Sequence, residues 1–221
     1  MILNPKPGFI LMNNEGTNDS KWSSHEMEML THVEVFLQKP GLMKKAERYL
    51  TALGEEMIHE LAQSKILFPP DTKLEKVQLT RGENHKGFPY LSLDIPQKFS
   101  KTEMFAYRTL FWWGHYLGFS LILKGEDLPR YTKNLLNEKE DPRLSDVYLA
   151  AAPTPWEWSA TDKNFKKICE TSGEELQKVI EAVEYIKLVR FHPMNDKSFA
   201  SLDWVGAGIT AWKDLSKVTE A

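Results

Sequence analysis

Disulfide chemistry is missing from this 221-residue sequence, which contains a single cysteine, Cys169. An intrachain disulfide is therefore impossible, and a reducing intracellular compartment is the expected location. We interpret Cys169 as a small buried residue of the helix-like segment NFKKICE, because an isolated cysteine behaves more often as a hydrophobe than as a nucleophile. The chain also lacks an excess of charge, since 28 basic and 31 acidic side chains give a net charge of −3. We therefore expect no nucleic-acid partner and no attraction to an anionic membrane.

No long uninterrupted apolar run is present. The most apolar stretch, FAYRTLFWWGHYLGFSLIL at residues 105–123, is interrupted by Arg108 and His115. A membrane-spanning helix needs about 20 predominantly apolar residues. The N-terminal MILNPKPGFILMNN contains two prolines and an apolar run too short for a secretory signal. These features predict a cytoplasmic protein with no membrane association.

The common catalytic and nucleotide-binding motifs are absent as well. The sequence has no GxxxxGK[ST] phosphate loop and no GxSxG nucleophile elbow. His59-Glu60 begins like a zinc-protease motif, but position 63, where the second histidine should be, is Gln63. No cofactor is expected.

Hydrophobic residues make up 42% of the chain and charged residues 27%, as in an ordinary globular protein. We predict one domain over residues 1–221, beginning with an irregular arm at 1–22 in which GFILM forms a short strand. Ser23 and Glu26 have the capping-box spacing that starts a helix. Apolar residues at helical spacing predict two helices over 23–66, separated at Lys39-Pro40-Gly41, which form a helical hairpin.

The middle of the chain changes to a two-residue period. Leu91, Leu93 and Ile95 alternate with polar residues, which predicts a sheet region over 74–152 with GENHKG as a hairpin loop. Ser100 and Glu103 form a second capping-box pattern, which predicts a short helix opening FSKTEMFAYRTL before a strand in WWGHYLGFSLIL. We predict a further strand in DVYLAAA, a helix at 173–189 and a helical region over 173–221. This order predicts an α+β fold, with the helical hairpin packed on a mainly antiparallel sheet.

The richest polar and aromatic group lies in this sheet region. Its members come from the predicted hairpin loop, the following strand and the 107–116 segment, and we take them as candidate ligand-binding residues: Arg81, Glu83, Asn84, His85, Tyr90, Asp94, Arg108, Trp112, Trp113 and His115. A meander would bring these groups to one face or rim of the sheet. Trp112, Trp113 and Trp156 would then wall a pocket for a flat or sugar-like ligand.

Three functions remain open. The first is a domain that binds a small ligand or a protein through this polar and aromatic group. The second is a hydrolase or transferase that uses His115 or His85 with a neighbouring carboxylate. The third is a structural subunit of an assembly. A purely structural polar network is the alternative to all of these sites, and Arg108→Ala or Asp94→Ala would then cost roughly 1–3 kcal/mol of stability.

A metal site is a further alternative. His25, Glu28 and His32 lie in one narrow sector of the first predicted helix, a spacing that could supply ligands to a zinc or iron ion. A solvated polar flank explains the same spacing. No other short cluster of ligand residues completes a coordination shell.

Residues 81–125 carry the pattern GEN, G-x-PY-x-x-LD-x-P, FSK and R-T-x-FWWG. This pattern resembles that of a group of uncharacterised bacterial proteins of similar length with no assigned function. The resemblance covers about a fifth of the chain. It implies a bacterial intracellular protein and transfers no catalytic residue.

Overall fold

The computed structural model describes residues 21–220, so the predicted N-terminal arm and its GFILM strand lie outside the described residues. The described residues divide after Met43 into two compact units, 21–43 and 44–220. The fold is α+β, with an N-terminal helix pair, an antiparallel sheet and later helices, as predicted. Within residues 21–220, no helix has the length and apolarity needed to cross a membrane.

The first helix begins where the capping box predicts. Helix α1 is Ser24–Thr31, and Ser23 and Glu26 make both reciprocal bonds, at 2.7 and 3.2 Å. Helix α2, Val33–Ala62, follows after one residue, His32, and Pro40 lies inside it. The predicted break at Lys39-Pro40-Gly41 is therefore wrong, and the break between the two helices is at His32. A proline removes one backbone N–H donor from a helix, and a long helix can continue through the position of the proline.

Seven strands form one sheet in residues 44–220. They are β1 Gln78–His85, β2 Phe88–Phe99, β3 Met104–Trp112, β4 Tyr116–Lys124, β5 Val147–Ala150, β6 Phe165–Lys167 and β7 Ile186–Pro193. Their order is β1-β2-β3-β4-β7-β5-β6, and every neighbouring pair is antiparallel. Three further helices are α3 Leu128–Glu138, α4 Gly173–Val183 and α5 Trp204–Leu215.

The second capping-box prediction is wrong. Glu103 N does donate to Ser100 Oγ at 2.8 Å, as in a helix cap, but Ser100 N donates to Glu103 O at 2.9 Å and closes a turn between β2 and β3. Residues 104–112 then pair along β2 and β4, so the same local hydrogen bond begins a strand. The predicted hairpin loop GENHKG is also shorter than expected, because β1 continues to His85 and only Lys86 and Gly87 form the turn.

The later helix is confirmed but ends at Val183, where Glu184 adopts a left-handed conformation. Residues 186–193 instead form β7, which lies between β4 and β5. The predicted strand in DVYLAAA is confirmed as β5. Cys169 was expected to be buried on a helix, but it is exposed in a short 3₁₀ turn, and its thiol lies 3.3 Å from Ser145 O.

One face of the sheet is covered by helices, and we call it the helix face. Leu93 contacts α2 near Gly54, and Phe119 contacts α5 near Gly208. The hydroxyl of Tyr107 donates to Gly208 O at 2.6 Å. A methyl group on Gly208 would lie 2.7 Å from Leu53, so α5 approaches α2 and the sheet closely.

The opposite face carries Tyr90, Asp94, Arg108, Trp112 and Lys187, and we call it the loop face. Residues that face each other across neighbouring strands point to the same side, which assigns these side chains to one face. Residues 151–164, the covering segment, pass over this face. They bring Trp158 into an aromatic cluster with Trp112 and Tyr116.

Candidate functional site

A buried ion pair lies near the centre of the loop face. Asp94 on β2 and Arg108 on β3 are directly opposite in register. Arg108 Nε donates to Asp94 Oδ1 at 2.7 Å, and Nη2 donates to Oδ2 at 2.8 Å. The Asp94 side chain is 1% exposed and that of Arg108 is 15% exposed. Bidentate pairing of this kind is charge-assisted and fixes the plane of the guanidinium group.

Two adjacent aromatic rings lie near this guanidinium group. Its central carbon lies 4.8 Å from the ring centre of Trp156 and 5.8 Å from that of Phe99. The two rings are 5.8 Å apart and remain 40% and 39% exposed. We call Phe99, Arg108 and Trp156 the aromatic–arginine surface. Both rings are within the range in which an arginine gains cation–π stabilisation.

Two lysines outside the covering segment bind the residues on both sides of Trp156. Lys187 Nζ on β7 donates to Pro155 O at 2.8 Å and to Glu157 O at 3.0 Å. The Glu157 carboxylate accepts from Lys86 Nζ at 2.7 Å. Hydrogen bonds therefore connect the residues next to Trp156 to strand β7 and to the β1–β2 turn.

Lys187 and Glu157 have shifted pKa values. Burial, together with the charge of Arg108, lowers the pKa of Lys187 to about 7 against a weaker opposing effect of Glu157. Burial by itself raises the pKa of Glu157, but hydrogen bonds from Lys86 and Ser159 lower it to about 2. Glu157 is therefore ionised at neutral pH, whereas Lys187 loses its charge near neutrality.

The two candidate catalytic histidines lie in a filled aromatic cluster. The His85 ring is 3.7 Å from Trp158, and the His115 ring stacks on Trp112 at 3.6 Å. In the described part of the chain, neither Nε2 atom has a hydrogen-bond partner, and both atoms are buried. Burial lowers the pKa of both imidazoles, which favours their neutral forms. A general base needs an orienting partner, and among residues 21–220 no carboxylate hydrogen-bonds to either ring.

The remaining candidate residues are distributed around this cluster. Arg81 and Glu83 form an exposed pair at 2.8 Å, and Asn84 Oδ1 accepts from Gly87 N to close the β1–β2 turn. The Tyr90 ring lies across Gly82, where a methyl group would be 2.1 Å from the ring. Trp113 is half-buried in the β3–β4 turn. The structure therefore brings together Tyr90, Trp112, His85 and His115, and places Arg81, Glu83 and Asn84 outside the aromatic–arginine surface.

The proposed metal ligands come from the first unit. His25, Glu28 and His32 line a shallow pocket of about 350 Å³, and His32 is the C-cap of α1 rather than a helical residue. Among residues 21–220, no three histidine, cysteine or carboxylate side chains form a group that could hold a metal ion. The geometry gives the metal hypothesis no support.

Sequence reasoning did not identify one sizeable cavity. It has a volume of about 930 Å³ and lies between α3, α4, the β2–β3 turn and the end of β4. Its apolar wall includes Leu128, Leu136 and Ile180, and its rim carries Lys101 and Lys124, among other polar residues. Helix α3 was not predicted, so this cavity had no signal in the sequence.

Sequence reasoning also missed Phe99 and Lys187, which position the surface around Arg108. Phe99 ends a regular strand, and the residues around Lys187 followed a helical apolar pattern. The PTPWEW loop was the one available signal for the covering segment.

No family model, curated protein or solved structure matches this chain. The resemblance of residues 81–125 to the bacterial group is therefore still an expectation.

Proposed function

We propose that this chain is a binding domain without catalytic chemistry, which docks a protein partner on the aromatic–arginine surface. One observation carries the proposal. Arg108 is held by buried Asp94 within cation–π distance of two adjacent aromatic rings that remain about two-fifths exposed. A charged group fixed in this way is pre-organised for recognition, because little conformational freedom is lost on binding.

Composition and shape favour a protein over a small molecule at this surface. Tryptophan and arginine are the residue types most enriched at the energetic centres of protein interfaces. Phe99 and Trp156 are each about two-fifths exposed, whereas Trp112, Tyr116 and Trp158 fill a separate buried cluster. A partly exposed aromatic patch of this kind suits a partner that covers it on binding.

The proposal includes a cytoplasmic location and excludes a nucleic-acid partner. The single cysteine and the net charge of −3 support both statements. His85 and His115 act in this proposal as packing residues, since no carboxylate of residues 21–220 hydrogen-bonds to either ring.

The test is a comparison of variants with a purified partner obtained by affinity capture on the full chain. Trp156→Ala should weaken direct binding at least roughly tenfold in calorimetry, as expected for the centre of an interface. Leu67→Ala is the control, because Leu67 is an exposed apolar residue outside the aromatic–arginine surface. Equal binding by Trp156→Ala and the native chain would contradict the proposal.

A second candidate function is supported by the 930 Å³ cavity. Its size falls within the range of small-molecule sites, and it combines an apolar wall with three lysines and three glutamates. This arrangement suits a small, mainly apolar ligand. The probe is 1-anilinonaphthalene-8-sulfonate, whose fluorescence should rise with the native chain and not with Leu136→Trp, which fills the cavity. Leu67→Trp is the control, and unchanged fluorescence with Leu136→Trp would reject this candidate.

A further inference from the structure

Exposed apolar side chains are concentrated in one short part of the molecule. Thirteen large apolar side chains are exposed in residues 21–220, and nine of them lie between positions 22 and 42. Those nine are exposed by 46–75% and are Trp22, Met27, Met29, Leu30, Val33, Val35, Phe36, Leu37 and Leu42. We call residues 22–42 the apolar segment. Soluble monomers rarely leave such a concentration of apolar surface uncovered.

Packing within residues 21–220 does not explain the stability of helix α1. Helix α1 has eight residues, and none of them is buried. Helices shorter than about 12–15 residues are marginal in water without packing against another surface. The capping box at Ser23 and Glu26 supplies only a local contribution. A surface outside the segment must therefore cover its apolar side chains.

The charged residues in and after the apolar segment indicate what kind of surface covers it. Residues 22–38 contain three glutamates and no lysine or arginine, whereas residues 39–48 contain four basic residues and one glutamate. Glu28 lies eight residues before Phe36, and Lys44 lies eight residues after it. The charge pattern is therefore complementary to itself when two copies run in opposite directions.

We propose that a second copy of this chain covers the apolar segment, with the two segments antiparallel about a two-fold axis near Phe36. Two-fold symmetry places residues before the axis opposite residues after it in the other copy. Phe36 and Leu37 then pack against their own equivalents. Glu28 of each copy lies opposite Lys44 of the other, so the ion pair forms twice.

Other occupants fit less well. A helix that binds anionic lipid carries lysine and arginine on its polar face, whereas residues 22–38 carry only acidic charge. Binding of an unrelated protein would not explain why the charges of the segment are complementary to those of a second, antiparallel copy.

The first test measures molar mass of the full chain by light scattering over a wide range of protein concentration. The native chain should form a dimer that dissociates on dilution. Leu37→Asp should raise the dissociation constant at least roughly tenfold. Leu67→Asp is the matched control, because Leu67 lies in the other unit and both leucines are 75% exposed.

The second test reverses charges. Glu28→Lys and Lys44→Glu should each weaken the dimer, because each places like charges opposite one another twice. The double variant should restore the native dissociation constant, and circular dichroism checks that helix content is retained. A double variant as weak as the single ones would overturn the antiparallel arrangement.

Three outcomes would overturn the proposal entirely. One is a native chain that is monomeric at every concentration with fast amide exchange in residues 24–37. Another is a monomer with protected amides there, which would mean that the rest of the same chain covers the segment. The third is a monomer that binds vesicles of phosphatidylserine and phosphatidylcholine, which would identify a lipid surface.

Discussion

The two faces of the sheet are built in different ways. On the helix face, Phe119 and Leu121 are fully buried under helices, and shape complementarity with residues such as Gly208 sets the packing. On the loop face, Asp94 and Lys187 are buried, and Arg108 is mostly buried, under a segment with little regular structure. The comparison shows that a covering segment without regular secondary structure needs polar anchors. Its backbone carbonyls are satisfied by Lys187 and Tyr116 rather than by a helix ladder.

The largest expected effect is a cavity on the helix face. Phe119→Ala should lower the free energy of unfolding by about 3–5 kcal/mol, because the ring is completely buried and its neighbours cannot collapse fully. Phe99→Ala on the loop face is the matched control, and it should cost less than about 1 kcal/mol because that ring is partly exposed. Urea unfolding monitored by circular dichroism measures both. Similar losses from the two variants would remove the distinction between the faces.

The next effect is an unpaired charge on the loop face. Arg108→Ala should cost about 3 kcal/mol, since Asp94 is left charged and buried without its partner. Arg81→Ala removes an exposed arginine from a similar contact with Glu83 and should cost less than about 1 kcal/mol. The double replacement Asp94→Leu with Arg108→Met should recover most of the loss. If Arg108→Ala melts like the native chain, the buried-network interpretation is wrong.

Lys187 should make the loop face sensitive to alkaline pH. Its pKa is lowered to about 7 in the folded state, against 10.5 unfolded. Between these values the unfolded chain binds the extra proton, so stability should rise as pH increases from 7 to 9, by roughly 2 kcal/mol. A neutral amine keeps two N–H donors for the carbonyls of Pro155 and Glu157. Lys187→Met should be less stable and should lose this rise, and the same rise in the variant would assign it to other groups.

The smallest effect concerns the histidines beside the covering segment. Burial lowers the pKa of His85 and His115 below the usual 6.5. Each contribution is complete above pH 6.5 and is lost as pH falls toward the lowered folded-state pKa, because the unfolded chain binds the proton first. His115→Gln should reduce the stability difference between pH 7 and pH 5 by less than about 1 kcal/mol. Exposed His59→Gln is the control and should leave that difference unchanged.

Local patterns predicted several elements because neighbouring residues decide them. The two-residue period at Leu91, Leu93 and Ile95 predicted β2, and the capping box at Ser23 predicted the start of α1. The same capping pattern failed at Ser100. There the pairing of β3 with both β2 and β4 outweighed the helical preference of a few residues. The apolar spacing from Leu176 to Ile186 also continued across Glu184, where the chain leaves the helix and enters the sheet.

The candidate site divides in the same way. Strand alternation placed Asp94 on a polar face, and a meander was expected to bring Arg108 from the 107–116 segment to the same face or rim. Their bidentate pairing depends on register, and the position of Trp156 next to Arg108 and Phe99 depends on how the covering segment returns to the sheet.

By itself, the sequence determined the α+β class, the polar and aromatic composition of the loop face and the self-complementary charges around the apolar segment. Those properties depend on residue type and short spacing. Tertiary structure alone decided that β7 lies between β4 and β5, that Lys187 is buried beneath Trp156, and that the histidine cluster is filled by Trp158. Contacts between residues far apart in the chain decide these features, and no local pattern encodes which distant segments will meet.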